Sequence, residues 1–233
     1  MGFRFLQFEV EDKLSSMRVG TDSMLLGAWA NPGTSNRILD IGTGCGVLAL
    51  MLAQKSTGII DAIEIDGLSL SQAQSNFQKS PWAFRINPIH DNVLDYSMRT
   101  EACYDFIISN PPFFRNSLKS STYRKNQSRH DTTLTHEELI KAVDWLLSFT
   151  GRFSTILPAD IISGFIGICE NHNLHLMRRT IVFPKPQTRA KRVLMEFSRD
   201  NKAIPKHAEL VILNSEDRFS NEYLEMTAGF HQF

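Results

Sequence analysis

The chain has 233 residues, 42% of them hydrophobic and 10% aromatic, with 25 basic against 25 acidic side chains; this excludes disorder and fibrous folds and favours one domain around a single core. The longest nearly uninterrupted apolar stretch, Ile161 to Cys169, contains Ser and Gly and falls far short of the ~20 residues that span a bilayer. The N-terminus lacks the basic and apolar regions of a secretory signal, and Cys45, Cys103 and Cys169 are scattered without C-x-x-C spacing, so a cytoplasmic protein with reduced thiols and no metal site is expected.

In chain order, Phe3, Phe5 and Phe8 mark a short strand-like piece and Ser23 to Ala30 a helix. Residues 1–33 are expected as an N-terminal extension covering the pocket of a single domain over 1–233. From Arg37 to Leu157, short β-branched apolar runs alternate with helical patterns, the mark of βαβ units and a parallel sheet. The spacing predicts strands at 37–41, 59–63, 86–90, 104–109 and 153–157, with helices at 47–54 and 69–79. Thr135 with Glu138 forms a capping box. After it, Leu139, Ile140, Val143, Leu146 and Leu147 share a helical face until Gly151. A helix around Ala159 to Glu170 follows, then β-rich runs at 180–183 and 193–197 joined by a basic loop, with Leu210 to Leu213 as a further short strand. The expected fold class is α/β: a doubly wound, seven-stranded, mostly parallel sheet with one antiparallel edge strand.

Between the first strand and its helix stands Asp40-Ile41-Gly42-Thr43-Gly44-Cys45-Gly46. Three glycines let backbone approach a ligand and turn sharply, which reads as a cofactor loop. The dinucleotide form G-x-G-x-x-G would need a small residue at Val47, which disfavours NAD. Glu64, at the end of the second strand, sits near the ~20-residue offset at which an acid receives ribose hydroxyls, with Asp66 as its competitor. Asp91 and Asn92, after the third strand, are placed to read an adenine ring or to form an Asx turn.

Asn110-Pro111-Pro112-Phe113 follows the buried fourth strand directly. Two prolines remove two backbone donors and fix φ, leaving Asn110 Oδ1 and the Pro111 carbonyl as acceptors beside an aromatic ring. Such a set suits an exocyclic NH2 group. Accepting from both N–H bonds localises the amine lone pair toward an electrophilic methyl without a strong base, while Phe113 stacks on the base and orients it.

On the glycine loop and Asn110 to Phe113, the chain resembles the class I S-adenosylmethionine-dependent methyltransferases, and within them the N-P-P-[YF] amino methylators. Residues 17–30, Asp61 to Asp66, Gln72 to Asn76 and Ser80 to Ala83 look like the bacterial tRNA adenine-N6 methyltransferases acting on adenosine 37 of valine tRNA, nearly end to end. The resemblance implies a Rossmann-like fold, S-adenosylmethionine as cofactor and tRNA as partner. It implies that Gly42, Gly44 and Glu64 contact the cofactor, with Asp40 and Gly46 completing the loop and Thr21 and Asp22 near the methionine end. Asn110, Pro111, Pro112 and Phe113 would hold the target base, Asn110 also reaching the cofactor. The family usually has Asp where this chain has Asn92, which leaves the adenine contact between Asp91 and Asn92, and often Tyr where Phe113 stands.

Neutral net charge hides an uneven distribution: net −4 over residues 1–114, +8 over 115–206 and −4 over 207–233. A basic stretch of this kind favours a polyanionic partner. Given the tRNA resemblance, Arg124, Lys125 and Arg129 after the N-P-P-F motif, and Lys185, Arg189, Lys191 and Arg192 between two late strands, are expected to meet phosphates. An rRNA guanine-N2, DNA adenine or protein glutamine methyltransferase shares the motif, and a non-catalytic RNA-binding scaffold shares the charge; the +8 segment argues against glutamine, and the lack of a second recognition domain against sequence-specific DNA. His136-Glu137-Glu138 has Ile140 where a metalloprotease helix needs a second His, and neither a G-x-S-x-G elbow nor a P-loop is present. A monomer is expected.

Overall fold

A computed structural model describes residues 2–101, 103–112 and 134–230. Two-residue strands β1 (Phe3–Arg4) and β2 (Glu9–Val10) pair antiparallel and precede α1 (Thr21–Trp29). The alternating part runs β3 (Arg37–Ile41), α2 (Val47–Lys55), β4 (Ile59–Glu64), α3 (Gly67–Gln78), β5 (Ile86–His90), α4 (Val93–Arg99) and β6 (Tyr104–Ser109). Then come α5 (His136–Leu146), β7 (Leu147–Pro158), α6 (Ile162–Asn171), β8 (His175–Phe183), β9 (Arg192–Ser198), β10 (Lys206–Val211) and α7 (Asn221–Thr227). No helix among the described residues is long and apolar enough to cross a membrane.

The sheet order is β10-β8-β9-β7-β6-β3-β4-β5, with β9 antiparallel to both its neighbours and every other pair parallel. From β3 the chain winds outward through β4 to β5, then returns to the other side of β3 as β6. The crevice at a doubly wound switch point therefore lies at the carboxyl ends of β3 and β6. Those ends carry the glycine loop and Asn110, in register through Ile41 opposite Ser109. The Ser109 hydroxyl donates to the Ile41 carbonyl at 2.9 Å and fixes the spacing of the two strand ends.

Successive residues of the central strands point to opposite faces and both faces are covered, which is why these strands read as continuous apolar runs. On one face Ile38, Phe106 and Ile108 pack with Leu25 and Leu26 of α1, Leu50 and Met51 of α2, and Tyr223 of α7. On the other, Leu39, Ile107 and Phe153 pack with Leu139, Val143 and Leu146 of α5 and Phe165 of α6. Gly27 lets α1 and α2 approach, because a Cβ there would lie 2.3 Å from Met51 Sδ.

The doubly wound, mostly parallel class holds, with eight strands in place of the expected seven and the antiparallel strand inside the sheet. The eighth is β10, which begins four residues before the strand expected at 210–213 and ends at Val211. Its exposed Lys206, His207 and Glu209 suit a charged edge. The loop between β8 and β9 forces them antiparallel. Val193, Leu194, Met195 and Phe197 of β9 are fully buried, so β9 takes the interior place and half-exposed β8 lies outside it. Glu196 enters with β9 and is met by Arg152 at 3.3 Å, Arg178 at 3.1 Å and the Ser154 hydroxyl at 3.0 Å. The helix expected to continue to Gly151 ends at Leu146, because Leu147 already pairs with Tyr104 of β6.

Candidate active site at the sheet switch point

Gly42, Gly44 and Gly46 all adopt positive φ (69°, 57° and 85°), the region that favours glycine. Gly46 is doubly constrained, since a Cβ would also fall 2.4 Å from a Phe77 ring carbon of α3. The loop is tied to β4 by the N–H groups of Gly42 and Thr43, both donating to the Ile63 carbonyl at 2.9 and 3.0 Å. Glu64 accepts from Gly44 N–H at 2.9 Å and from the N–H groups of Ile65 and Asp66 at 3.0 Å each. Asp40 lies beneath the loop, fully buried, and accepts the Thr43 hydroxyl at 2.6 Å. Burial lifts its carboxyl to about 7, against the opposing pull of the Thr43 hydroxyl and the Ala49 backbone. In front of Gly42 the space is open, with nothing within 4 Å of where a Cβ would stand.

Asn110 faces this loop across the crevice. Its Nδ2 donates to the Ser23 hydroxyl of α1 at 3.3 Å, while its buried Oδ1 has no hydrogen-bond partner among the described residues. Pro111 is buried and Pro112 exposed. A cleft of about 250 Å³ opens beside Asn110, walled by Met17, Arg18, residues 20–23 and Arg192, and a smaller space of about 30 Å³ lies at the glycine loop; Met17, Arg18, Ser23 and Asn110 border both. Thr21 and Asp22, in the first turn of α1, thus stand in the same cleft as Asn110. Asp22 binds Arg192 Nε through both carboxylate oxygens, at 3.0 and 2.9 Å.

The remaining expected residues divide. Asn92 caps α4, its Oδ1 accepting from Leu94 N–H at 2.9 Å, and Asp91 is ion-paired with Arg99. Asp66 caps α3 through Ser69 N–H at 2.8 Å, which leaves Glu64 as the acid turned to the loop. Arg192 lies in the cleft, whereas Lys185, Arg189 and Lys191 stand on the exposed β8–β9 loop, Lys185 paired with Asp217. Phe113, Arg124, Lys125 and Arg129 fall outside the described residues. Met17, Arg18 and Ser23 lie in the stretch 17–30 that carries the family resemblance, next to Thr21 and Asp22, but are not among the expected site residues; the fold brings them to Asn110. Among the described residues no group of three or more His, Cys, Asp or Glu could hold a metal ion.

The family model described as methyltransferase small domain matches residues 15–156. A protein of Bacteroides fragilis named tRNA1(Val) (adenine(37)-N6)-methyltransferase is 41% identical over 230 residues, covering 98% of this chain and 97% of its own. One of the same name from Pectobacterium carotovorum is 40% identical over 234 residues, covering 100% and 94%. Among solved structures, a predicted O-methyltransferase from Agrobacterium tumefaciens superposes with a TM-score of 0.67 over 90% of this chain and 96% of that one, at 19% identity, a likeness of fold.

Proposed function

The chain belongs to the methyltransferase small-domain family, and from that premise we propose that it transfers a methyl group from S-adenosylmethionine to the N6 amine of adenosine 37 in tRNA1(Val). The donor fits the residues present: three positive-φ glycines leave open space before Gly42, and a carboxylate, Glu64, is held against the loop by the Gly44 N–H. Bound there, S-adenosylmethionine supplies an electrophilic methyl on a sulfonium sulfur. Gly42, Gly44 and Glu64 would hold it, with Asp40 and Gly46 shaping the loop, Asp91 or Asn92 at its adenine, and Thr21 and Asp22 in the cleft beyond. Residues 1–33 act as the extension that covers this pocket within a single domain.

The observation that carries the chemistry is the asymmetric setting of Asn110. Ser23 takes its NH2 group, so the amide oxygen is left turned to an amine, buried and without a partner among the described residues. Asn110 Oδ1 and the Pro111 carbonyl accept the two N–H bonds of the adenine amine and stabilise the positive charge that grows on N6 as the new bond forms. Pro112 stiffens the turn and Phe113 offers a ring for stacking. No charged base is needed beside them: as the methyl would pass from the sulfonium sulfur to N6, the positive charge would move with it, and the acidified N6 would then give its proton to solvent. An anticodon-loop adenine is already single-stranded, so presenting it costs a few kcal/mol of unstacking at most. Lys185, Arg189 and Lys191, with Arg124, Lys125 and Arg129, supply the phosphate contacts, while Arg192 is held in the cleft by Asp22. The working unit is a cytoplasmic monomer, since one chain supplies every group named; sedimentation of the enzyme checks it.

The test is tritiated methyl transfer to total tRNA from a strain lacking this protein, followed by nucleoside analysis. Label is expected in N6-methyladenosine from one tRNA species. Label on rRNA, DNA or a protein glutamine instead would replace the acceptor.

A further inference from the structure

Helix α3 buries a stripe of three polar side chains at helical spacing, Ser69, Gln72 and Asn76, at 0%, 4% and 1% exposure. Each turns to the backbone of the N-terminal segment. The Asn76 carboxamide accepts from Glu11 N–H at 3.0 Å and donates to the Glu11 carbonyl at 2.8 Å; its Nδ2 also donates to the Cys45 carbonyl of the glycine loop at 2.8 Å. Gln72 Oε1 accepts from Leu14 N–H at 3.4 Å, and Ser69 Oγ from Ser16 N–H at 3.0 Å. Asp12 closes the segment on itself by accepting from Val19 N–H at 3.1 Å.

Polar bonds, and little apolar burial, hold this segment down: Leu14 and Met17 are 53% and 41% exposed. Few buried apolar contacts mean a low opening cost. The segment nonetheless lies on the cofactor loop. Ser15 Oγ comes within 3.3 Å of the place a Gly44 Cβ would take, and Met17 and Arg18 wall the spaces on both sides. Those spaces measure about 30 and 250 Å³, whereas ligand pockets run to roughly 300–1,000 Å³. A nucleoside carrying an amino-acid tail needs the two joined, and Met17 and Arg18 of the segment border both, together with Ser23 and Asn110.

We propose that residues 11–19 are a hydrogen-bonded cover that lifts to admit the cofactor and closes over it, and that Asn76, Gln72, Ser69 and Asp12 are positioning residues that set how tightly the cofactor is retained. The proposal rests on the glycine loop as the S-adenosylmethionine site, and not on the identity of the acceptor. Asp12→Ala, which leaves α3 intact, is expected to raise the dissociation constant of S-adenosylhomocysteine, read by calorimetry, about tenfold, the scale of losing a hydrogen bond to a charged group. Asp12→Asn, which keeps an acceptor oxygen, restores it to within about twofold of the parent protein on the same scale. Asn76→Ala acts in the same direction. KM for the cofactor rises with these variants while kcat and KM for the acceptor stay put. Hydrogen exchange reports the cover directly: the amides of residues 11, 14, 16 and 19 slow when S-adenosylhomocysteine is added to the parent protein, and speed up in Asp12→Ala.

Faster exchange in Asp12→Ala with unchanged cofactor affinity would overturn the proposal, as would exchange at 11–19 that ignores the cofactor. Should Asn76→Ala fail to fold, Asp12→Ala alone decides. Absence of methyl transfer to tRNA, with these binding results intact, would refute the acceptor and spare the cover; absence of S-adenosylhomocysteine binding would remove both.

Discussion

Asn110 has one end of its amide occupied by Ser23 and the other buried without a partner among the described residues, an arrangement that costs stability unless a ligand donor completes it. Asn110→Ala removes the acceptor where charge develops, so kcat is expected to fall by about 10²–10³-fold. Ser23→Ala keeps the acceptor and loses only its orientation, for a smaller loss of about fivefold in kcat, the equivalent of about 1 kcal/mol. Single-turnover methyl transfer separates the two; equal losses would mean that Asn110 acts by packing. Asp40 makes a second prediction at this scale. Its carboxyl is lifted from the ordinary 3.8 to about 7 by burial, so the folded state holds the proton more tightly than the unfolded chain does. The stability this contributes is full below pH ~4 and is lost as pH rises through ~7. Asp40→Asn keeps an acceptor for Thr43 and has no proton to lose. Its Tm should gain on that of the parent protein between pH 5 and 8, and thermal melts in that range that run parallel would reject the assignment.

Elements bear the strain that single residues relieve. Gly46 joins β3 to α2 with φ of 85° and a Phe77 ring carbon 2.4 Å from any added Cβ. Gly46→Ala is therefore expected to cost about 2–3 kcal/mol or more in urea unfolding. Gly164, inside α6 with nothing within 4 Å of its Cβ position, is the control: Gly164→Ala should be neutral or stabilise by up to ~1 kcal/mol. Similar costs at both sites would refute the role of the turn. The same contrast explains what the sequence makes legible. β3, β4 and β6 are buried on both faces and read as apolar runs, and the glycines between β3 and α2 have a motif's spacing, so the sheet centre and the cofactor loop can be placed from residues alone. Helix α4, seven residues begun by the Asn92 cap, and α7 are too short for a periodic signal. The first half of β8, His175 to Arg179, includes Arg178, which is held by Glu196 on the neighbouring β9 and by the Trp29 ring 3.7 Å away, partners far off in sequence. Ser23, Met17 and Arg18 reach Asn110 through tertiary packing of α1 and the segment before it, which no local pattern encodes.

Across the molecule, the sheet separates two kinds of basic residue that lie side by side in sequence. The β8–β9 loop holds Arg189 and Lys191 out in solvent, while Arg192, the first residue of β9, turns into the cleft and pairs with Asp22 beside Asn110. Phosphate contacts made in solvent act through counterion release and carry a salt signature, whereas a group paired within a cleft acts on geometry. Reversing the charges of the loop, Arg189→Glu with Lys191→Glu, should weaken tRNA binding and flatten the plot of log affinity against log salt by about 0.7–0.9 for each phosphate the loop ceases to neutralise, with single-turnover kcat at saturating tRNA within about twofold of the parent protein. Arg192→Lys keeps the charge and gives up the planar guanidinium that Asp22 engages, since ammonium and guanidinium are not interchangeable at a two-oxygen contact. It should leave the salt slope unaltered and lower kcat, because the first turn of α1 carries both Asp22 and Ser23 and so conveys a loosened Arg192 to the amide of Asn110. An unchanged kcat in Arg192→Lys would leave the Asp22 pair a structural contact without influence on the transferred methyl.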